Sequence, residues 1–327
     1  MNMSNPTHPE MSVVIVTPDR YETIRKTIQH LRSQKARDQL EVVIVAPSKD
    51  GLSLIEEEVI DFFHLRIVEV GPIDSTAKAR AAGIRQASAP VIAFVEDHSY
   101  PAPGWAEALI AAHRKPWAAV GPVMLNANPE KRTSWADMLI SYGRWLDPTP
   151  EGMIDFLPGH NSSYKRAILL EYGPALEEML EAESVLHWDL GAKGHQLYLS
   201  PAAKIFHVNF ERFSSWLAVQ FYSGRLFAST RVRHWSFLRR FFYFTSSPLI
   251  PLVRLLRIMR ELRQPGRPRN LLLSILPTLA IGLILNGTGE MIGYIFGVGN
   301  AMEKSSDMEF HRYRYLNKQD NRTFAEP

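Results

Sequence analysis

The chain has 327 residues, 46% of them hydrophobic and 22% charged, with a formal net charge of +3 and no cysteine. That composition describes a folded protein large enough for one big core or two smaller ones; it excludes a disulfide framework and thiolate metal sites, and it fits a reducing compartment. The charge is uneven: Lys204–Arg269 holds 13 Lys/Arg against two acids, net +11, which leaves the remainder at net −8.

Residues 1–10 read as a disordered start. The opening MNMSNPTHPEMS is polar and the following VVIVT is too short for the apolar core of a signal peptide, so none is expected. Ser12–Thr17 (SVVIVT) predicts a strand, and Ile24, Ile28 and Leu31 predict a helix over Asp19–Gln34. Leu40–Val45 is a second strand, Leu52–Phe63 a second helix, Leu65–Val70 a third strand and Ser75–Ala87 a small, Ala-rich helix. Val91–Val95 (VIAFV) is a fourth strand, and Trp105–His113 a helix. Strands alternating with helices, each strand apolar throughout, predict an α/β fold with a doubly wound, mainly parallel sheet covered on both faces.

The fourth strand runs straight into Glu96, Asp97 and His98. Ionisable side chains at the C-terminal end of a strand lie where open α/β sheets bind ligands. Carboxylate and imidazole together suit a divalent cation, and the imidazole tilts the expectation toward Mn2+ over Mg2+. The bland alternative for the same residues is a turn or helix cap.

Past Trp117 the pattern changes. Ala118–Met124 predicts a strand, Thr133–Trp145 a helix, Phe156–Tyr164 a turn-rich loop, and Lys165–Tyr172 and Pro174–Glu183 helices. His187–Lys193 continues as helix to Gly194, Gln196–Leu199 and Lys204–His207 are short strands, and Phe213–Ser229 is a helix.

Five segments, in this order, resemble family 2 inverting glycosyltransferases of the GT-A fold. They are SVVIVTPDRYETIRKTIQHLRSQ, EVVIVAPSKDG, STAKARAAGIRQASAPVIAFVEDH, LPGHNSSYKR and EAESVLHWDLGAKGHQLYLSPAAKIFH. The resemblance covers roughly Met11 to Phe227, and implies transfer of a sugar from a nucleotide-diphosphate donor to a hydroxyl acceptor. It implies Glu96, Asp97 and His98 at the DxD metal motif, with His207 as a further metal or phosphate contact. It implies Thr17, Asp19 and Arg20 at base and ribose, and Lys78, Arg80 and Asp97 at the diphosphate. Arg225 would reach the diphosphate from a lid. Asn161 and Trp188 would meet the acceptor. Glu183 would be the catalytic base, with Glu181 and Asp189 as alternatives, because an in-line displacement needs one carboxylate opposite the leaving group. Three departures stand out: Glu and His as the outer DxD pair, Ala46 where an acid usually reads the base (Asp50 follows), and Ala182 in the first place of an acidic pair. They keep open a second reading, a domain that has lost catalysis and serves as a scaffold.

Ser236–Leu262 mixes Phe, Leu and Ile with arginines, of which Arg254, Arg257 and Arg260 lie near one helical face. Leu271–Gly289 is 19 residues without a charge, interrupted by Pro277, Gly282 and Gly287. This predicts membrane-associated helices, spanning or interfacial, on an anionic surface at the cytoplasmic face of a membrane of the bacterial inner-membrane kind. Nucleic acid is not expected as a partner, because apolar residues interleave with the arginines. A homo-oligomer through these helices is the other use of such a region. The expected domains are 11–230 for transfer, 231–300 for the basic and apolar helices, and 301–327 for a polar tail. The acceptor expected from this placement is a membrane-linked glycan or lipid.

Overall fold

A computed structural model describes residues 7–233 and 235–315. The chain divides into two compact units: one runs to residue 125 and resumes over 149–206, the other takes 126–148 and the described residues from 207 onward.

In chain order, β1 (Met11–Val16) leads to α1 (Tyr21–Arg32), β2 (Leu40–Ala46) to the single turn α2 (Lys49–Leu52), and β3 (His64–Glu69) to α3 (Thr76–Gln86). β4 (Val91–Phe94) and the short β5 (Ser99–Pro101) precede α4 (Trp105–His113) and β6 (Ala119–Asn126). After α5 (Arg132–Tyr142) come β7 (Gly152–Met153), β8 (Ser163–Lys165), α6 (Arg166–Leu170), α7 (Leu176–Glu181), α8 (Glu183–Ala192) and β9 (Leu197–His207). The rest is helical: α9 (Phe213–Arg231), α10 (Phe237–Ser246), α11 (Ile250–Leu262), α12 (Leu272–Phe296), α13 (Ala301–Phe310) and α14 (Arg312–Tyr315).

The strands form one sheet in the order β3-β2-β1-β4-β8-β6-β9-β5, with β7 paired to β9. β1 runs parallel to β2 and β4, and β2 to β3. β8 is antiparallel to both β4 and β6. The α/β expectation holds: β1–β4 are parallel, β8 is the antiparallel insertion, and β6 and β9 rise together, Ala118 N donating to Gln196 O and Ala127 N to His207 O. Every residue of β1 and β2 is buried, as strands covered on both faces require. α1 buries Tyr21, Ile24, Ile28 and Leu31 along one stripe. α3 lies close on the sheet because its inner face is small: a Cβ on Gly83 would stand 2.7 Å from Val14.

Three local expectations are corrected. No helix spans Leu52–Phe63: α2 ends at Ser53, a non-glycine residue with φ 53°. Beyond it a single 3-10 turn at Glu56–Glu58 presents Glu58 to Arg25 (2.6 Å). The two short strands at 196–207 are one eleven-residue strand, β9, which continues through Pro201. Residues 163–165 are strand β8, not loop and helix start, since Ser163 and Tyr164 fill the gap between β4 and β6.

In the second unit α9 and α12 touch backbone to backbone. A Cβ on Gly289 would stand 2.1 Å from the Phe221 carbonyl, one on Gly293 2.5 Å from that of Arg225, and one on Gly224 2.1 Å from that of Asn286. Gly289 and Gly293 of α12 and Gly224 of α9 are therefore the contact surface between the two helices. Asn286 and Glu290 of α12 are also buried. Arg254 of α11 reaches both, with Nη2 2.6 Å from the Glu290 carboxylate. Arg254 thus serves a buried acid rather than the outer face expected for it.

Gly289→Ala forces α9 and α12 apart and should lower unfolding stability by about 1–3 kcal/mol. Gly191→Ala in α8, whose added methyl meets nothing within 4 Å, should raise it by about 0.4–1 kcal/mol. Chemical denaturation of the two variants checks the pair; equal effects would contradict the close helix contact.

Candidate active site

β4 delivers three ionisable residues to the edge of the sheet. The chain turns at once, Ser99 N donating to Glu96 O at 3.0 Å. α1 fixes this turn from below, because the Thr27 hydroxyl is within 3.1 Å of the carbonyls of both Asp97 and Ser99. Glu96, Asp97 and His98 are all buried as a result.

Each of these side chains has a defined partner. Asn161 spends its whole amide on Glu96: its Nδ2 donates to Oε2 at 2.6 Å and its Oδ1 accepts from the Glu96 amide at 3.3 Å. Asn161 is itself fully buried, so it orients Glu96 from the Gly-x-Asn turn. The Asp97 carboxylate accepts from His98 Nδ1 at 2.6 Å. His98 Nε2 lies on the other side of the ring, 3.7 Å from Glu96 Oε2. His207 closes β9, a strand of the same sheet, and shows the same arrangement: its Nδ1 is 3.0 Å from Asn209 Oδ1. Tyr142 covers the His207 ring at 4.6 Å between centroids.

Glu96, His98 and His207 each offer one ligand atom, and these atoms lie within 4.8 Å of one another. One carboxylate and two imidazoles, each imidazole steered by an acceptor on its far nitrogen, fit a divalent cation. The donor set suits Mn2+ better than Mg2+, which prefers oxygen ligands. Asp97 sits behind His98 in this arrangement.

A second cluster adjoins the first. Arg80, on the sheet side of α3, is buried and places Nη1 2.6 Å from Glu183 Oε1. Glu183 opens α8 and is buried too. The close approach requires Gly159, where a Cβ would fall 2.2 Å from that of Glu183. His160 joins the clusters: Nε2 is 3.2 Å from Glu183 Oε2, and Nδ1 is 3.4 Å from Glu96 Oε1. Burial pushes the Glu183 carboxyl up, but His160 and Arg80 outweigh it and hold it at about 2. Burial lowers His160, and Glu183 more than restores it, so the imidazole is raised. Glu183 is therefore ionised at neutral pH and fully partnered. His160 and Asn209 were missed in the sequence. The Gly-His-Asn turn carried a signal for the first; nothing local marks the second.

The remaining predicted residues lie apart from these pairs. Thr17 is buried, its hydroxyl accepting from the Asp19 amide at 3.3 Å, and the exposed Arg20 precedes α1. Lys78 is exposed, 3.5 Å from Asp74. Trp188 is 40% exposed on α8, enough for its ring to meet a ligand, whereas Trp105 is entirely core. Asp189 binds the Tyr172 hydroxyl at 2.6 Å and Lys193 at 2.7 Å. Arg225 donates to the Gly297 carbonyl at 2.9 Å, tying α9 to the end of α12. Ala46 is buried at the end of β2, and Asp50 is exposed in α2.

Residues 12–173 match the profile of glycosyl transferase family 2. This stretch is a family 2 glycosyltransferase domain. The chain is 24% identical over 242 residues to a pre-mycofactocin glycosyltransferase of Mycobacterium tuberculosis, covering 71% of this chain and 49% of that protein. It thus spans about half the length of the curated relatives it matches. Among solved structures it resembles the mannosyltransferase PcManGT from Pyrobaculum calidifontis, in complex with GDP-Man and Mn2+. The TM-score is 0.52 and the identity 15%, over 93% of this chain and 88% of that one. The likeness shows the GT-A fold for this mixed sheet, and within that domain β4 carries Glu96, Asp97 and His98.

Asn209→Ala releases the far nitrogen of His207 and should weaken Mn2+ binding about 10–100-fold in an electron paramagnetic resonance titration. Asn209→Asp keeps an acceptor and should restore most of it. Unchanged affinity in the Ala variant would remove His207 from the ligand set.

Proposed function

We propose that the chain is an inverting glycosyltransferase, moving a sugar from a nucleoside diphosphate donor to a hydroxyl on a membrane-linked glycan or lipid at the cytoplasmic face. The observation that carries the reading is the pairing of one buried, ionised carboxylate, Glu183, with Arg80, next to the cation-fitting group of Glu96, His98 and His207. The family 2 domain supports transfer chemistry; the net charge of +11 over Lys204–Arg269 supports the membrane.

A bound Mn2+ or Mg2+ would supply Lewis-acid neutralisation of the leaving diphosphate. Glu96, His98 and His207 would hold it, with Asp97 and Asn209 fixing the two imidazoles. Thr17, Asp19 and Arg20, at the C-terminal end of β1, are placed for the base and ribose, and Lys78 joins Arg80 on α3 for the phosphates. Trp188 offers a ring for the acceptor sugar. The position of Arg225 against Gly297 favours a structural role over a lid.

Glu183 is the base. Held at about 2 by its partners, it accepts a proton poorly until one of them leaves. A diphosphate competes for the Arg80 guanidinium as a charge-assisted, bidentate acceptor. With Arg80 turned toward phosphate, Glu183 loses its closest cation and gains basicity as the donor is seated. The acceptor oxygen, deprotonated by Glu183, forms its bond to the anomeric carbon as the bond to the diphosphate oxygen breaks, with inversion at that carbon. Glu181 and Asp189 are less suited, Asp189 being tied to Tyr172 and Lys193.

A panel of UDP and GDP sugars with Mn2+ should include one that raises the melting temperature, since a ligand that binds only the native state stabilises it. Glu183→Gln should cut turnover of that donor by about 10^2–10^4-fold while keeping the thermal shift. No shift with any nucleotide would end the transferase reading in favour of the scaffold; a shift with full turnover in the variant would move the base elsewhere.

A further inference from the structure

The helical unit answers a question that hydropathy leaves open. Arg269–Phe296 is, among the described residues, a helix long and apolar enough to cross a membrane. Its surroundings argue against a crossing. One face of α12 is committed to backbone contact with α9 through Gly289 and Gly293, and to the Trp216 ring at Gly282. Another holds Asn286 and Glu290 in a buried polar group with Arg254 and Gln220. α11 lies against α12 through Arg254, and through Ile250 and Pro251 at Gly287. The same α11 carries Arg257 and Arg260 on its exposed side, followed by exposed Arg263. If α12 crossed the bilayer, α11 would enter with it and set those arginines in hydrocarbon, which is costly for each.

α12 exposes Leu273, Ile281, Ile284 and Phe296, and the larger share of this unit's exposed apolar surface lies on α10 and α11. α10 exposes Phe237, Leu238, Phe241 and Phe242, each at least half accessible, on one arc of the helix. Its other side is spent: Tyr243 and Phe244 pack on Ala228, Val232 and Tyr294. α11 follows after a short turn and exposes Leu252, Val253 and Leu256 in its first half. The arginines extend that same exposed side through its second half and beyond. A surface that is apolar at one end and basic at the other matches a lipid interface: acyl region for the rings, anionic headgroups for the guanidinium groups.

We infer that α10 and α11 form a monotopic seat in an anionic bilayer surface and that α12 is the packed core of this seat, not a span. The proposal deepens the membrane part of the reading above and leaves the transfer chemistry untouched. Lipid binding is therefore measured without donor or turnover, so either claim can fail alone.

The absence of cysteine makes the test direct. Phe242→Cys and Leu252→Cys, labelled with an environment-sensitive fluorophore, should brighten and shift to the blue on phosphatidylglycerol vesicles. Replacing Arg257, Arg260 and Arg263 by Gln should lower vesicle affinity on the order of a hundredfold, at about a factor of five per arginine. Cysteines at Arg269 and Glu303, flanking α12, should both react with an impermeant maleimide from the same side of sealed membrane vesicles. Labelling from opposite sides would establish a span and overturn the proposal. So would fluorophores silent to lipid in a protein that sediments as a dimer and becomes monomeric on Phe242→Glu, because the apolar surface would then belong to a second copy.

Discussion

Burying charge at the edge of a sheet is tolerable only when each charge is paired, and that constraint organises the first unit. Arg80 and Glu183 meet at 2.6 Å with both side chains buried. Removing either partner would leave an uncompensated ion, a loss of about 3–5 kcal/mol. The pair forces Gly159, because no side chain fits beside Glu183. It draws in His160, which reaches from Glu183 to Glu96. Glu96 in turn takes both ends of Asn161. One linked polar cluster therefore runs from α3 to the end of β4.

Such a cluster is poorly suited to a role in stability alone, since apolar residues of similar volume usually serve as well. Its value lies in what it leaves ready. His98 and His207 both have one ring nitrogen held by an oxygen acceptor, of Asp97 and of Asn209, which fixes how each imidazole is turned. Glu183 is ionised but held by cations that a diphosphate can draw away. In the second unit the same rule works to the opposite end. Arg254, Asn286 and Glu290 fasten α11 to α12.

Much of this was legible in the chain. The buried runs VVIV and VVIVA and the helix Trp105–His113 follow from local pattern, and the metal-capable residues stood visibly at the end of VIAFV. Glu183 and Arg80 could be named separately; their contact across 103 positions could not be read without the fold. The missed features are those set by tertiary context. β8 is too short to show a period and exists because it fills a gap between β4 and β6. β9 keeps its strand through Pro201, which reads locally as a break. Residues 52–63 have helical composition, yet Ser53 turns left-handed and Glu58 is held by Arg25 and Tyr21. Asn209 lies two residues after His207 in HVNF, and only geometry shows that it faces the ring.

The departures from the expected motif, His98 for an acid above all, become coherent once the partners are known: a carboxylate and two oriented imidazoles make one ligand group. Pulsed electron paramagnetic resonance of the Mn2+-loaded protein with a nucleoside diphosphate tests this most directly. The account predicts modulation from two imidazole nitrogens together with phosphorus from the diphosphate, and loss of one nitrogen in each of His98→Ala and His207→Ala. An all-oxygen manganese environment, or manganese that carries the nitrogens but no phosphorus, would contradict it.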